Sequence, residues 1–182
     1  VQCPAALRLS IIIPARNEAL HLPETLASIG RAPDLEIIVV DGGSIDNTRM
    51  IARAFGARLL ACPPGRAVQQ NTGAAEARGE VLMFLHADTH LPTGYRQAIE
   101  ECLAQEGVVA GAFQLAFDDT RPSLRIIALA ANLRANWRQL PYGDQALFLQ
   151  RETFQALGGF REIPIMEDYD LVLRLRKRGR IA

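Results

Sequence analysis

Apolar and polar positions alternate in blocks along the first hundred residues. Leu9-Ser10-Ile11-Ile12-Ile13 is a short apolar run ended by Pro14, the pattern of a buried parallel strand. A helical stretch follows over Leu22 to Ile29. Leu35 to Val40 is a second strand, stopped by Asp41-Gly42-Gly43-Ser44. Asp46 then stands as an N-cap for a helix to Phe55. Arg58 to Ala61 is a third strand, and Pro63-Pro64-Gly65 leads into a helix through Ala77. Gly79 occupies the place of a C′ glycine closing that helix. Val81 to Leu85 is a fourth strand. Repeated alternation of strand and helix predicts a parallel sheet covered on both faces.

The second half has another character. Val108 to Phe117 alternates like a longer, antiparallel strand, and Leu124 to Trp137 is an amphipathic helix. Gln145 to Gln150 is a short strand, followed by a helix ending at Gly158-Gly159. Asp168 to Arg178 is a last helix with a basic end. With no repeat and no low-complexity linker, residues 1–182 read as a single domain. Its first half, to about residue 90, is expected to bind a nucleotide at the carboxyl ends of its strands. The second half completes the site and holds a second substrate.

Composition narrows this picture. The 182 residues are 49% apolar, enough for one globular core. Twenty basic residues balance twenty acidic ones, which argues against nucleic acid as partner. A small phosphorylated ligand needs only a local site. Cys3, Cys62 and Cys102 are widely spaced and form no CxxC, so structural zinc and a disulfide framework are poorly supported. A reducing cytoplasm is the simplest home. No leader and no membrane-spanning run is seen. The chain begins without Met and stops on Arg180-Ile181-Ala182, which reads like a strand beginning, so a C-terminally incomplete chain is expected.

Four polar clusters follow strand ends: Pro14-Ala15-Arg16-Asn17-Glu18, Asp41-Gly42-Gly43-Ser44, Gly65-Arg66 and His86-Ala87-Asp88-Thr89. All four should line one edge of the sheet. The first lacks GxGxxG, which argues against a dinucleotide site; no GxxxxGK[ST] or GxSxG occurs either.

Ser10 to Glu18 resembles the opening motif of family 2 glycosyltransferases. Ile38 to Thr48 resembles their second motif, with Gly42 where a second Asp is common. Asn71 to Ala75 through Phe84 to Asp88 resembles the stretch ending in the DxD element, with His86 at its first position. Met166-Glu167-Asp168-Tyr169-Asp170 resembles the later ED motif. Gly65-Arg66-Ala67, Leu85 to Thr89 and Pro141-Tyr142-Gly143-Asp144-Gln145 are similar to a compact bacterial subgroup, often grouped with radical-SAM and selenium-related genes. The resemblance implies an α/β, GT-A-like fold: one domain, mostly parallel, with a smaller mixed C-terminal part. It implies inverting sugar transfer from a nucleoside diphosphate sugar, commonly of UDP, to an acceptor hydroxyl. The acceptor, whether sugar, lipid or small molecule, is undefined. A divalent cation, Mn2+ or Mg2+, is the implied cofactor. A non-catalytic nucleotide-sugar binder and a nucleotidyltransferase are the rival readings.

The resemblance also distributes roles. Asp41 accepts hydrogen bonds from the base, flanked by Pro14, Ala15 and Glu18; alternatively it is a turn residue bonding the next helix. Asn71 belongs to the nucleotide-binding set. Arg66, at a helix start beside Gly65, suits a pyrophosphate, or is an exposed loop arginine. Asp88 is the metal candidate, since a cation held by a carboxylate neutralises a departing diphosphate. His86 binds metal, contacts ribose or packs, and an extended segment would put it on one face with Asp88 and His90. Asp168 is the expected general base, in a position where helix capping also favours an acid. Asp144, Gln145 and Glu167 are assigned to positioning the substrate. The Leu124–Trp137 helix covers the core, or reaches a lipid acceptor at the inner face of the membrane.

Overall fold

A computed structural model describes residues 8–116 and 145–182. Cys3, Asp144, the Pro141–Gly143 part of its motif and the Leu124–Trp137 helix lie outside the described residues. The order is β1 (Leu9–Ala15), α1 (Leu22–Ile29), β2 (Leu35–Asp41), α2 (Thr48–Ala54), β3 (Arg58–Ala61), α3 (Arg66–Glu76), β4 (Val81–Phe84) and α4 (Tyr95–Leu103). Then come β5 (Val108–Gly111), β6 (Phe148–Gln150), α5 (Arg151–Ala156), α6 (Glu167–Leu175) and β7 (Arg180–Ile181).

All seven of these strands share one sheet, ordered β3-β2-β1-β4-β6-β5-β7. The β3-β2-β1-β4 part is parallel, with Ala15 opposite Asp41 and Ile12 opposite Phe84. Strand β6 runs antiparallel between β4 and β5, and β7 is parallel to β5. From β1 the chain steps one way to β2 and the other way to β4. A crevice therefore opens beyond the carboxyl ends of β1 and β4, where open α/β sheets place ligands.

Side chains alternate across each strand, so one apolar run fills two cores. Ile11, Ile13, Val39, Met83 and Leu85 pack beneath α1, α2 and α4. Ile12, Ile38, Val40, Leu82 and Phe84 pack beneath α3, α5 and α6. In the second core Phe84, Phe154 and Phe160 form a triangle with ring centroids 4.8–5.4 Å apart. It ties the central sheet to the segment preceding α6.

Several boundaries differ from expectation. The strand expected over Val108 to Phe117 closes at Gly111, and the one expected from Gln145 begins at Phe148. In between, Phe113 and Gln145 are held by a single backbone bond of 2.7 Å, and Ala146 turns left-handed. Gly79 is not a left-handed C′ residue. A Cβ there would lie 2.6 Å from the Ser10 backbone nitrogen, so close approach of two chains requires glycine. Asp46 is not the N-cap of α2: Asn47 holds that position without a side-chain capping bond, and Asp46, one residue earlier, closes a turn in which its Oδ1 accepts from the Thr48 backbone N–H at 3.0 Å. The periodic reading missed α4 entirely, although Tyr95 and Ile99 bury one face of it.

Helix α3 lies unusually close to β1. A Cβ on Gly73 would stand 2.5 Å from Ile12 Cγ2 and 3.0 Å from Val40 Cγ2, both in the core. Gly73→Ala is expected to cost about 1–2 kcal/mol, because overpacking outweighs the gain in helix propensity. Urea unfolding of both proteins checks this; equal or greater stability in the variant would show that α3 can move away.

Candidate functional site

Loops from separate strands are laced together at the carboxyl edge. Asn17 N–H donates to Ser44 Oγ at 2.9 Å, and Ile45 N–H returns a bond to Asn17 Oδ1 at 2.9 Å. Glu18 N–H donates to Thr48 Oγ1 at 2.8 Å and Ala19 N–H to Asp46 Oδ2 at 3.1 Å. The polar residues Ser44, Asp46 and Thr48 thus position the loop that presents Glu18. Beneath them Gln69, buried in α3, donates to Ala15 O at 3.0 Å and Val40 O at 2.8 Å. A Cβ on Gly42 would come within 3.0 Å of the Gln69 amide. The bonded Gln69 thereby accounts for glycine where the resembled motif often has a second acid.

Asp41 ends β2 and is fully buried. It accepts from the Gly43 and Ser44 backbone N–H groups at 3.1 Å and from Arg49 Nε at 2.6 Å. Burial alone would raise its carboxyl; the bonds from Ser44, Arg49 and Gly43 outweigh it and hold the group below its ordinary value. Arg49 was not legible as a partner from the sequence. Pro14 and the buried Ala15 stand beside Asp41, and Ala15 O also takes the Gly42 N–H at 2.9 Å.

Carboxylates gather at the crevice. Glu18 is half-buried, and its carboxyl is raised first by burial, then by the negative charge of Asp88, with Asp46 adding to it and His21 opposing. Asp88, from the end of β4, is exposed and accepts no hydrogen bond among the described residues. An exposed, unbonded carboxylate facing a second acid suits a hard divalent cation, and the nearby His86 imidazole adds a nitrogen donor compatible with Mn2+. His90 turns away to α1, its Nε2 3.6 Å from Glu24 Oε2. His86, Asp88 and His90 therefore do not assemble a three-ligand cage among the described residues.

A cavity of about 820 Å³ adjoins this point, lined by His86, Asp88, Thr89, Phe113, Gln145 and Ala146 among others. Gln145 is 3% exposed there and donates to Phe113 O at 3.2 Å. A smaller cavity of about 290 Å³ lies at the opposite, amino-terminal edge around Arg8, Asp34 and Arg78, away from every motif residue.

The C-terminal half reaches the same edge through α6. Arg66 at the start of α3 stands 3.5 Å from Glu167 at the start of α6. Asp168 is half-buried beside it, and its Oδ1 accepts the Tyr169 N–H at 2.8 Å. Asp170 faces away, gripping Arg174 at 2.8 Å and Arg161 at 3.1 Å; Arg174 also bonds Leu157 O and Gly159 O. That network anchors the segment leading into Glu167. Asn71 has a similar task, not a free amide at the site. Its Nδ2 donates to Phe160 O at 2.8 Å and its Oδ1 accepts Phe160 N–H at 2.9 Å.

Three non-glycine residues have left-handed backbones among the described residues: Asn17 (φ 59°), Ala146 (φ 49°) and Met166 (φ 69°). Each is next to a candidate site residue, namely Glu18, Gln145 and Glu167. Such conformations are costly and persist where the surroundings impose them, which is common at functional sites.

Comparison with known proteins agrees with this architecture. A mannosyltransferase from Pyrobaculum calidifontis, solved with GDP-Man and Mn2+, superposes with a TM-score of 0.75 at 24% identity, over 98% of this chain and 55% of that one. Glucosyl-3-phosphoglycerate synthase from Mycobacterium tuberculosis, solved with Mn2+ and UDP, gives 0.72 at 24% identity, over 98% of this chain and 69% of that one. At those identities the likeness establishes the GT-A-type fold. An undecaprenyl-phosphate 4-deoxy-4-formamido-L-arabinose transferase of Pseudomonas paraeruginosa is 29% identical over 94% of this chain and 47% of its own length. A PGL/p-HBAD biosynthesis glycosyltransferase of Mycobacterium bovis is 43% identical over 48% of this chain and 38% of its own. The chain spans less than half the length of these two curated relatives. The family model described as glycosyl transferase family 2 matches residues 10–161, which include the strand-end clusters at Glu18, Asp41, Arg66 and Asp88. With the motifs in order along the chain and their residues collected on one edge of a GT-A-type sheet, the chain belongs to glycosyl transferase family 2.

Proposed function

We propose that this edge binds a nucleoside diphosphate sugar and transfers the sugar, with inversion, to an acceptor hydroxyl. The observation that carries the reading is a pair of charged contacts beyond the strand carboxyl ends: Glu18 after β1 senses Asp88 after β4, and Arg66 after β3 meets Glu167 beside Asp168. The base would lie against Pro14, Ala15 and the Glu18 loop. The buried Asp41 holds the adjacent Gly43–Ser44 turn and has a base N–H as its remaining candidate partner. Arg66 and the first amides of α3 would hold the diphosphate. A divalent cation held by Asp88, with His86 beside it, would neutralise charge on the leaving diphosphate. Asp168 takes the proton of the acceptor hydroxyl as its oxygen bonds the anomeric carbon and the anomeric bond to the diphosphate oxygen breaks. Gln145 and Glu167 orient the sugar or the acceptor. Asn71 serves this site through Phe160.

UDP is the nucleotide we favour, with GDP and TDP as alternatives, and Mn2+ or Mg2+ as the ion. Placement in the compact bacterial subgroup grouped with radical-SAM and selenium-related genes rests on the sequence of Gly65-Arg66-Ala67, Leu85 to Thr89 and Pro141 to Gln145. No helix of the described residues is long and apolar enough to cross a membrane. The undecaprenyl-phosphate substrate named for one relative makes a lipid-linked acceptor, met at the inner face from the cytoplasm, one arm of the proposal.

A thermal-shift series with UDP, GDP and TDP, each with Mn2+, Mg2+ or chelator, tests the reading. A ligand at about a hundred times its Kd adds about 2.7 kcal/mol, which for a chain of this size raises the midpoint by about 5–10 °C. Metal-dependent stabilisation by one nucleoside diphosphate is expected. No shift with any of them, in either metal, would overturn it.

A further inference from the structure

The contact between Arg66 and Glu167 joins the two halves of the site, and its two members are unlike. The Arg66 side chain is 54% exposed, whereas that of Glu167 is 4% exposed. Their charged heads stand 3.5 Å apart, and Glu167 Oε1 accepts no hydrogen bond. Nor does Arg66 donate one among the described residues. Charge thus faces charge without a bond. A buried carboxylate oxygen in that state lacks the donors that would offset its lost hydration. The guanidinium keeps all its donors for a partner with better geometry, and a diphosphate oxygen pair is such a partner.

We infer that Glu167 is a positioning residue for Arg66, and that donor binding exchanges its partner. This inference rests on the nucleotide-sugar reading of the site. Without donor, Glu167 holds the guanidinium at the mouth of the diphosphate site. The incoming diphosphate takes the arginine away. That leaves Glu167 Oε1 buried and without a counter-charge, beside Asp168, ready to accept a hydrogen bond from a second polar group of the acceptor. Arrival of the donor thereby prepares the acceptor side. The coupling runs through one side chain that both the diphosphate and Glu167 attract, so it is reciprocal.

The consequence is a specific sign. Removing the Glu167 charge should strengthen diphosphate binding, because Arg66 no longer has to leave a partner. The test is titration of UDP and GDP, each with Mn2+, into the parent, Glu167→Gln, Arg66→Gln and the double variant. Glu167→Gln should bind about two- to fivefold more tightly, the range of a half-exposed ion pair. Arg66→Gln should bind more weakly, and the double variant should match Arg66→Gln, since the effect of Glu167 passes through Arg66. A purely structural Glu167 would lower the unfolding midpoint without tightening binding. Unchanged or weaker binding by Glu167→Gln overturns the inference. So does equal tightening in the Arg66→Gln background, which would be simple charge repulsion. Failure of the parent to bind either nucleotide instead removes the nucleotide-sugar reading, and this inference with it.

Discussion

Asp168→Asn is expected to bind donor as the parent does and to transfer sugar about a hundred- to ten-thousandfold more slowly, the range of a lost general base. The substitution keeps the shape of the side chain, and its carbonyl oxygen can still accept the Tyr169 N–H that Asp168 Oδ1 accepts at 2.8 Å. Basicity is removed, together with the charge, and one acceptor oxygen becomes a donor. An in-line attack needs the base on the face of the sugar opposite the leaving group. Asp168 comes from the first turn of α6, whereas Asp88 follows β4, so the two approach the crevice from different elements. Transfer is followed with an identified acceptor, or as nucleoside diphosphate released with water as acceptor, and donor affinity is measured on the same preparation. Transfer at the parent rate would move the base to another group, with Glu167 and Asp144 next in line. Lost donor binding would instead put Asp168 in the nucleotide or metal shell.

Asp88→Asn should remove metal-dependent donor binding, leaving the metal-free affinity and the fold unchanged. Loss of even an outer-shell partner of a metal ligand costs about 10–100-fold, so loss of the carboxylate itself should cost at least about 100-fold in Mn2+-dependent affinity. The fold should not suffer, because Asp88 is exposed, and exposed substitutions away from special features stay within about 0.5 kcal/mol. The substitution also removes a negative charge that raises the Glu18 carboxyl. Titration of UDP with and without Mn2+, beside a thermal melt, separates these effects. Equal Mn2+-dependent affinity in parent and variant would reject the assignment.

Local pattern carried much of this protein. The four parallel strands, three of the helices between them and the order of the polar clusters are legible because a strand buried on both faces is a run of apolar residues with punctuation at its end. Register follows from the same cause: once β1, β2 and β4 are parallel, the clusters after them must share an edge. Helix α4 is not among the elements read from the sequence: only Tyr95 and Ile99 bury its face, two positions over one short helix.

Pairings between distant residues were settled only by the tertiary structure. Asn71 sits in a motif that suggests nucleotide binding, yet its amide is taken by the backbone of Phe160, 89 positions away. Arg49 and Gln69 carry no motif, yet one neutralises Asp41 and the other joins the ends of β1 and β2. A side-chain amide or guanidinium has the same local propensity whichever partner it later finds. The left-handed turns at Asn17, Ala146 and Met166 lack the glycine that would have announced them. The chemistry available at this site was thus written in residue types and their order. Which groups remain free to use it was decided by folding, because long-range packing and hydrogen bonding determine which polar groups are already satisfied.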